Sequence, residues 1–230
     1  MTYSEFVSGP QAQQRYWARS HLGWSRMKRA RPNAGHLAVA RLDPSLLITQ
    51  NVDGLHEAAG SRAVCALHGR IADVVCLACG DRTSRATLHA RLASLNPGWR
   101  ERHAEVEVRP DGDVDLDDTA GFEVPGCSRC GGVLKPDVVF FGENVPKHRV
   151  ERCYAAVDGL APDRAALLVL GSSLTVMSGF RFVRRATGLG VPVVVVNRGP
   201  TRADDLPVVR LQHGTTEFLT ELADRVDDDR

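Results

Sequence analysis

The sequence predicts an α/β fold, a parallel sheet layered with helices and carrying a small inserted cysteine module. Three observations predict it. After residue 133 short apolar runs alternate with helical stretches, clusters of Gly, Ser and Asn stand where the runs end, and two Cys-x-x-Cys pairs, Cys76/Cys79 and Cys127/Cys130, bracket a stretch of lower apolar density. The expected division is a sheet-and-helix domain over residues 1–75 and 133–230, with the cysteine module over 76–132.

Length and composition bound the reading. With 230 residues, 43% hydrophobic and 25% charged, the chain has ordinary globular usage and room for one large domain with a module attached. Disordered, collagenous and coiled-coil classes are excluded. The formal net charge is +1, so no global field draws the chain onto nucleic acid or an anionic membrane, and neither is an expected partner. No run reaches the ~18 apolar residues of a membrane span, and the N-terminus lacks the basic and apolar regions of a secretory signal. The expected location is therefore cytoplasmic, where paired cysteines favour metal over disulfides.

Taken in order, residues 2–42 read as helical. Thr2 and Glu5 stand at capping-box spacing, and Pro10 is placed to open a longer helix through Tyr16, Trp17 and Leu22. Pro32 ends that helix, Asn33 caps the next, and Leu37, Val39 and Leu42 are expected to face inward. Leu46-Leu47-Ile48 reads as a buried strand that stops at the polar loop Thr49-Gln50-Asn51-Val52-Asp53-Gly54, whose Asp-Gly step is turn chemistry. His68-Gly69 follows the apolar run Val64-Cys65-Ala66-Leu67. Beyond the module the expected elements are an apolar run 137–141 within the alternating sheet pattern, a helix 147–160, a strand 165–170, a helix 179–189, a strand 191–196, a weaker strand near 208–211 and a helix 215–226.

The two cysteine pairs, each trailed by glycine (Gly80; Gly131 and Gly132), supply four thiolates for tetrahedral zinc, with backbone N–H groups free to turn toward sulfur. Four thiolates close the coordination sphere, so the ion is expected to be structural. A redox Cys-x-x-Cys is the alternative, and it requires a pair at the start of a helix. The segment 80–126 between the pairs is longer than a zinc ribbon has. The acidic stretch Asp111, Asp113, Asp115, Asp117 and Asp118 does not fit calcium. A loop starting at Asp111 has Leu116 at the sixth position, where glycine is needed, and Phe122 at the twelfth, where glutamate is needed, so a solvated loop is expected. Cys65 and Cys153 read as small buried hydrophobes.

Ligands of parallel α/β sheets bind beyond the carboxyl ends of the strands. Gln50-Asn51-Val52-Asp53, Gly171-Ser172-Ser173 and Asn197-Arg198-Gly199 stand at those ends. Gly171-Ser172-Ser173 suits the ribose or phosphates of a nucleotide, or an ordinary strand end. Asn197 suits ribose hydroxyls or a turn cap, and Asp53 a carboxamide or an Asx-turn. His68 is the candidate general base, with a structural histidine as the alternative.

Taken together, these segments resemble the sirtuin family of NAD-dependent protein deacylases. The pieces that carry the resemblance are Thr49-Gln50-Asn51-Val52-Asp53-Gly54-Leu55-His56, Leu67-His68-Gly69, the two cysteine pairs, Lys135-Pro136-Asp137-Val138-Val139-Phe140-Phe141-Gly142-Glu143, Gly171-Ser172-Ser173-Leu174 and Val195-Val196-Asn197, in family order. Arg31-Pro32-Asn33-Ala34-Gly35-His36 and the long segment between the pairs are most similar to the class II branch. The resemblance implies a Rossmann-like NAD-binding domain with a zinc module, NAD as cofactor, one structural Zn2+ on Cys76, Cys79, Cys127 and Cys130, and an acyl-lysine protein or peptide as partner.

It also implies roles. The acyl oxygen attacks the anomeric carbon and expels nicotinamide, and His68 then removes a proton from a ribose hydroxyl. That hydroxyl takes over the acyl group, leaving free lysine and an O-acyl-ADP-ribose. Gln50 and Asn51 orient the nicotinamide ribose, and Asp53 holds the carboxamide. Gly171, Ser172 and Ser173 line the phosphate and adenosine-ribose side, Asn197 with Arg198 and Gly199 takes ribose hydroxyls, and Thr215 lies against adenine. Val138, Phe141, Gly142 and Glu143 belong to an edge that pairs with the extended peptide, with Ser178-Gly179-Phe180 on its other side.

Two departures from the family pattern stand out. Thr215 replaces a customary Cys, and because that contact is mainly backbone the change is expected to be tolerated. The family also opens with a strand ending in Gly-Ala-Gly-x-Ser and a mobile loop carrying Gly-Ile-Pro and an Arg, whereas Met1-Thr2-Tyr3-Ser4-Glu5-Phe6 aligns just after that loop. A strand-loop-helix unit of about 30 residues is therefore expected either to lie upstream of an internal start or to have been lost, and the retained His68, Gln50–Asp53 cluster and four thiolates favour the former. Protein mono-ADP-ribosyl transfer and a non-catalytic acyl-peptide-binding module are the alternatives to deacylation.

Overall fold

The computed structural model describes residues 1–107, 109 and 114–228. Asp111 and Asp113 of the acidic stretch, with the start of the rejected calcium loop, lie outside the described residues. The chain divides into two compact units, one formed by 1–30, 51–54 and 68–144 and the other by 31–50, 55–67 and the residues from Val145 on.

In the first unit, α1 (Tyr3–Phe6) opens with the expected capping box: the Thr2 hydroxyl accepts from the Glu5 N–H, and the Glu5 carboxylate accepts from the Thr2 N–H. α2 (Pro10–Arg29) starts on its proline and ends before Pro32. β3 (Gly69–Cys76) is the centre of a three-stranded sheet, antiparallel to both β4 (Arg82–Ser84) and β5 (Leu134–Val138). α5 (Arg85–Leu95) and α6 (Trp99–Arg102) follow β4.

The apolar run expected at 137–141 is thus corrected. Its strand, β5, does not join the parallel sheet but pairs antiparallel with β3, with Leu134 opposite Cys76. The reason lies in the cysteines. The chain leaves through Cys76 and Cys79 and returns through Cys127 and Cys130, so gathering four thiolates forces the two flanking strands to run in opposite directions. The unit is also larger than 76–132. Trp17 and Leu22 of α2 share one core with Val74, Leu88, Leu92, Trp99, Phe122 and Leu134, and the Trp17 indole N–H donates to the Leu134 carbonyl at 3.0 Å.

The second unit holds the parallel strands. β1 (Leu47–Thr49) pairs with β2 (Val64–Ala66), and β6 (Leu167–Leu170), β7 (Val193–Val196) and β8 (Val209–Leu211) form a sheet in that order. The helices are α3 (Ala34–Leu42), α4 (Leu55–Ala58), α7 (Lys147–Asp158), α8 (Met177–Gly188) and α9 (Thr215–Asp228). The α8 side chains Phe180, Phe182, Val183 and Ala186 share a core with Val193 and Val195 of β7 and with Cys153 and Val157 of α7.

Asn33 caps α3 as expected, accepting from the His36 N–H at 3.1 Å. Val39 is buried and Leu42 packs beside it against Leu219 and Ala223 of α9, but Leu37 is 50% exposed. At about 100° per residue, positions 37 and 39 fall on opposite sides of a helix, and Ala38 takes the inward place instead. Among the described residues, no helix is long and apolar enough to cross a membrane.

Candidate functional site

The four paired cysteines come together. One sulfur from each lies within 4.8 Å of all the others, with Cys76 and Cys130 at 3.5 Å and Cys79 and Cys127 at 3.8 Å. A tetrahedral zinc with Zn–S bonds of ~2.3 Å sets its sulfurs ~3.8 Å apart, so the cluster matches that ion. The two knuckles are built alike: the Gly80 N–H donates to the Cys76 carbonyl, and the Gly131 N–H to the Cys127 carbonyl. Both glycines have φ near +70°, which turns the chain sharply behind the sulfurs. Gly132 is required by contact, because a Cβ there would stand 2.9 Å from the Cys76 sulfur and 2.7 Å from the Ala78 methyl. The backbone N–H of Cys79 is the main cause that draws the Cys76 thiol down to about 7, whereas the Cys130 thiol, despite the Gly132 N–H, is pushed up to about 12 by the neighbouring sulfurs, Cys79 and Cys76 first. Neither pair starts a helix, since Cys76 ends β3 and Cys127 follows a loop, which removes the redox alternative.

In the same unit, backbone bonds join three of the segments singled out in the sequence. The Val52 carbonyl of the Asn51–Gly54 loop accepts from the Ile71 N–H, the His68 carbonyl accepts from the Val139 N–H, both at 2.8 Å, and Gly69 pairs with Val138. Asn51, Asp53 and His68 are thereby set along β3 and the end of β5. His68 and Asp53 are half-buried and Asn51 is exposed. The edge after β5 turns at Gly142, φ +80°, and holds Phe141 75% exposed. The Glu143 carboxylate faces back onto this turn, accepting from the Phe140 N–H at 2.8 Å and pairing with Lys135 at 2.9 Å. The Glu143 side chain is thus engaged within its own turn, and its backbone N–H donates to the Phe140 carbonyl at 3.0 Å.

In the second unit, the strand ends collect Gln50, Gly171, Ser172 and Thr215. Gly171 closes β6 at φ +57°, and a Cβ there would meet the Thr215 methyl at 3.3 Å. That leaves a side-chain-free cradle at a strand end, which fits the close backbone approach a nucleotide needs. The Gln50 amide donates to the Ser172 hydroxyl at 3.5 Å and lies directly on Gly179, where a Cβ would stand 2.9 Å from it. Ser173 bonds Thr175 at 2.9 Å, and an open cleft of about 350 Å³ runs between these two residues and Pro200, Thr201 and Arg202. The Asn197 amide N–H groups donate to the carbonyls of Arg198 and Gly199, so this side chain shapes the loop after β7. Arg198 is exposed, 4.0 Å from Glu217.

Cys65 and Cys153 are buried, as expected of small apolar residues, and their sulfurs lie 3.4 Å apart. That contact and burial push the Cys153 thiol far up. Sequence reasoning missed Lys135, 2% exposed, and the packing of Gly179 on Gln50. A signal existed for the first, since a lysine stands between Leu134 and the apolar Val138–Phe141 run, eight positions before Glu143.

Known proteins resemble this chain throughout. The family model for the Sir2 family matches residues 1–178. NAD-dependent protein deacetylase 1 of Streptomyces coelicolor is 54% identical over 98% of this chain and 76% of its own length, and NAD-dependent protein deacetylase 1 of Mycobacterium avium is 50% identical over 98% of this chain and 81% of its own. Among solved structures, "Sir2 bound to acetylated peptide" is 26% identical with a TM-score of 0.75, covering 98% of this chain and 82% of that one. "Crystal structure of a Sir2 homolog-NAD complex" is 26% identical with a TM-score of 0.69, covering 98% and 78%. With half its residues shared with these two deacetylases and a fold in common with the solved Sir2 structures, the chain belongs to the Sir2, or sirtuin, family.

Proposed function

We propose that this chain is an NAD-dependent protein-lysine deacylase of deacetylase type, working in the cytoplasm on acyl-lysine proteins or peptides. The observation that carries the reading is identity of 50–54% over 98% of the chain to proteins named NAD-dependent protein deacetylases. NAD, acyl-lysine and water give nicotinamide, O-acyl-ADP-ribose and free lysine. The acyl group is transferred to ribose, and NAD supplies the energy through its glycosidic bond.

The chain's own residues have these roles. His68 accepts the proton of the ribose hydroxyl that takes the acyl group, a role open to imidazole because histidine ordinarily titrates near neutrality, and worth about 100-fold to 10,000-fold. Gln50 and Asn51 orient the nicotinamide ribose, and Asp53 accepts from the carboxamide. Gly171, Ser172 and Ser173 meet the phosphates and adenosine ribose, Asn197, Arg198 and Gly199 the adenosine hydroxyls, and Thr215 the adenine. Val138, Phe141, Gly142 and Glu143 form the edge on which an extended acyl-lysine peptide pairs. Cys76, Cys79, Cys127 and Cys130 hold zinc away from the bond making, and a reducing cytoplasm keeps those thiols available.

The test is nicotinamide release, followed by chromatography. It is expected only when NAD and an acetyl-lysine peptide are both present, and His68→Ala should lower it by about 100-fold or more while zinc content and melting temperature hold. Silence on a broad panel of acyl peptides would overturn the reading. Label from NAD fixed covalently on protein would point to ADP-ribosyl transfer instead.

A further inference from the structure

We propose that Lys135 is a positioning residue, whose buried ammonium shapes the 138–143 edge and, through it, anchors the backbone of His68. The proposal takes the meaning of that edge from the deacylase reading.

Lysine is among the residues least often fully buried, and its ammonium requires partners when it is. Lys135 on β5 is 2% exposed. Its three N–H donors are matched by three acceptors: the Val138 carbonyl at 2.5 Å, the Pro136 carbonyl at 3.2 Å and a Glu143 carboxylate oxygen at 2.9 Å. The Phe140 ring lies 4.5 Å from the ammonium to its centroid, and the Tyr3 ring farther off at 5.9 Å. All of these groups but the Tyr3 ring belong to residues 136–143. The segment is wrapped around the charge.

The wrapping is closed a second time by Glu143. The oxygen that pairs with Lys135 also accepts from the Phe140 N–H, and the Glu143 N–H returns to the Phe140 carbonyl at 3.0 Å. Phe140 is thereby turned inward, edge-on to Phe6 at 5.5 Å and beside Tyr16 at 5.4 Å, while Phe141 is held out at 75% exposure. An exposed aromatic on a fixed turn is a ready apolar contact for a peptide that pairs with the edge. The Tyr3 N–H fixes the Phe141 carbonyl at 2.9 Å. At the other end, the residue after Val138 donates its N–H to the His68 carbonyl, so the anchor runs from ammonium to Val138 to Val139 to His68. A buried ion pair of this kind adds little net stability against an apolar replacement, and its use is to specify one geometry. Removing the ammonium leaves the inward Glu143 carboxylate with the Phe140 N–H but no counter-charge and takes a donor from the Val138 and Pro136 carbonyls, so the turn must open to rehydrate them.

The test compares the whole zinc-loaded protein with Lys135→Met and Lys135→Arg, by hydrogen exchange and by steady-state kinetics on an acetyl-lysine peptide. In Lys135→Met, amides of 138–143 should exchange about tenfold faster or more while α5 is unchanged, the peptide KM should rise about tenfold with a smaller fall in kcat, and the KM for NAD should stay within about twofold. Arginine keeps the charge and should recover part of the peptide KM. A folded, zinc-loaded Lys135→Met with unchanged exchange at 138–143 and an unchanged peptide KM overturns the proposal. If that variant does not fold, Glu143→Gln, which keeps an acceptor for the Phe140 N–H but removes the ion pair, is measured in the same way, and unchanged exchange and KM there overturn it equally. Wild-type protein inactive on all acyl peptides would refute the deacylase reading alone, and the exchange data would then decide the role of Lys135.

Discussion

Lowering the pH from 7 to 5 should weaken the first unit through His21. This histidine sits on α2 at 1% exposure, stacked on His89 with ring centroids 4.4 Å apart and 24° between planes, and its Nδ1 is buried with no hydrogen-bond partner. Burial first, then the charges of His89, Arg85 and Arg100, hold its pKa down at about 3, against an ordinary 6.5. The folded state therefore refuses a proton that the unfolded chain accepts. Below pH 6.5 the unfolded chain binds more protons, so stability falls as pH falls toward the folded pKa and rises again on the way back. At pH 5 the unfolded imidazole lies about 1.5 units below its own pKa, and at ~1.36 kcal/mol per unit the loss from His21 alone is about 2 kcal/mol. His89, drawn down to about 4 by burial first and then by Arg85, pushes in the same direction.

The assay is urea unfolding at pH 7 and pH 5, for wild type and for His21→Phe, which keeps a ring in the stack and has nothing to protonate. Tryptophan fluorescence is the right probe, because all three tryptophans, Trp17, Trp24 and Trp99, lie in the first unit. Zinc thiolates also take up protons in this range, but both proteins carry the same four, so their contribution cancels in the comparison. Wild type should lose about 2 kcal/mol more than the variant between the two pH values. Equal losses, within about 0.5 kcal/mol, would refute the argument, since a histidine with that folded pKa cannot be silent at pH 5.

Two further outcomes follow from the same geometry. Removing zinc with a strong chelator, or by Cys130→Ala, should release one ion per chain and abolish the cooperative tryptophan transition, because the knuckles that hold the metal also set β3 against β5; a metal-free protein with an unchanged transition would contradict a structural ion. Gly179→Ala should raise the KM for NAD at least several-fold with little change in melting temperature, since the added methyl meets the Gln50 amide at 2.9 Å while α8 gains helix propensity; an unchanged KM would remove Gln50 from the cofactor site.

The parts of this molecule that were legible in the sequence are those decided by neighbours in the chain. The Thr2 and Asn33 caps, the Pro10 start, the strand at 191–196 and the alternation that follows residue 147 each rest on contacts a few residues long, and each appears close to its expected bounds. Leu37 lies outside because, two residues before Val39, it stands about 200° round the helix from it. The sulfur cluster was legible for a different reason, because metal chemistry narrows what two Cys-x-x-Cys pairs can do. The antiparallel course of β5 shows in no local pattern, because it follows only once the four thiolates are gathered across residues 77–133.

Buried cations were the least legible. A lysine or arginine is assigned to the surface by default because burial without a partner is so costly. Arg85 nonetheless has no exposed surface: its guanidinium stands 5.2 Å from the centre of the Trp17 ring and 4.9 Å from that of Trp24, and it donates to the Ser20 carbonyl at 3.1 Å. Lys135 finds its hydrogen-bonding partners within eight residues, Arg85 only across sixty or more, with aromatic faces beside it that carry no charge to advertise them. This asymmetry separates their roles. A cation held by its own segment can set the shape of that segment, as Lys135 does for 138–143, whereas one held between two helices fixes their packing. Substituting Arg85 should therefore lower stability broadly, while substituting Lys135 should loosen one turn.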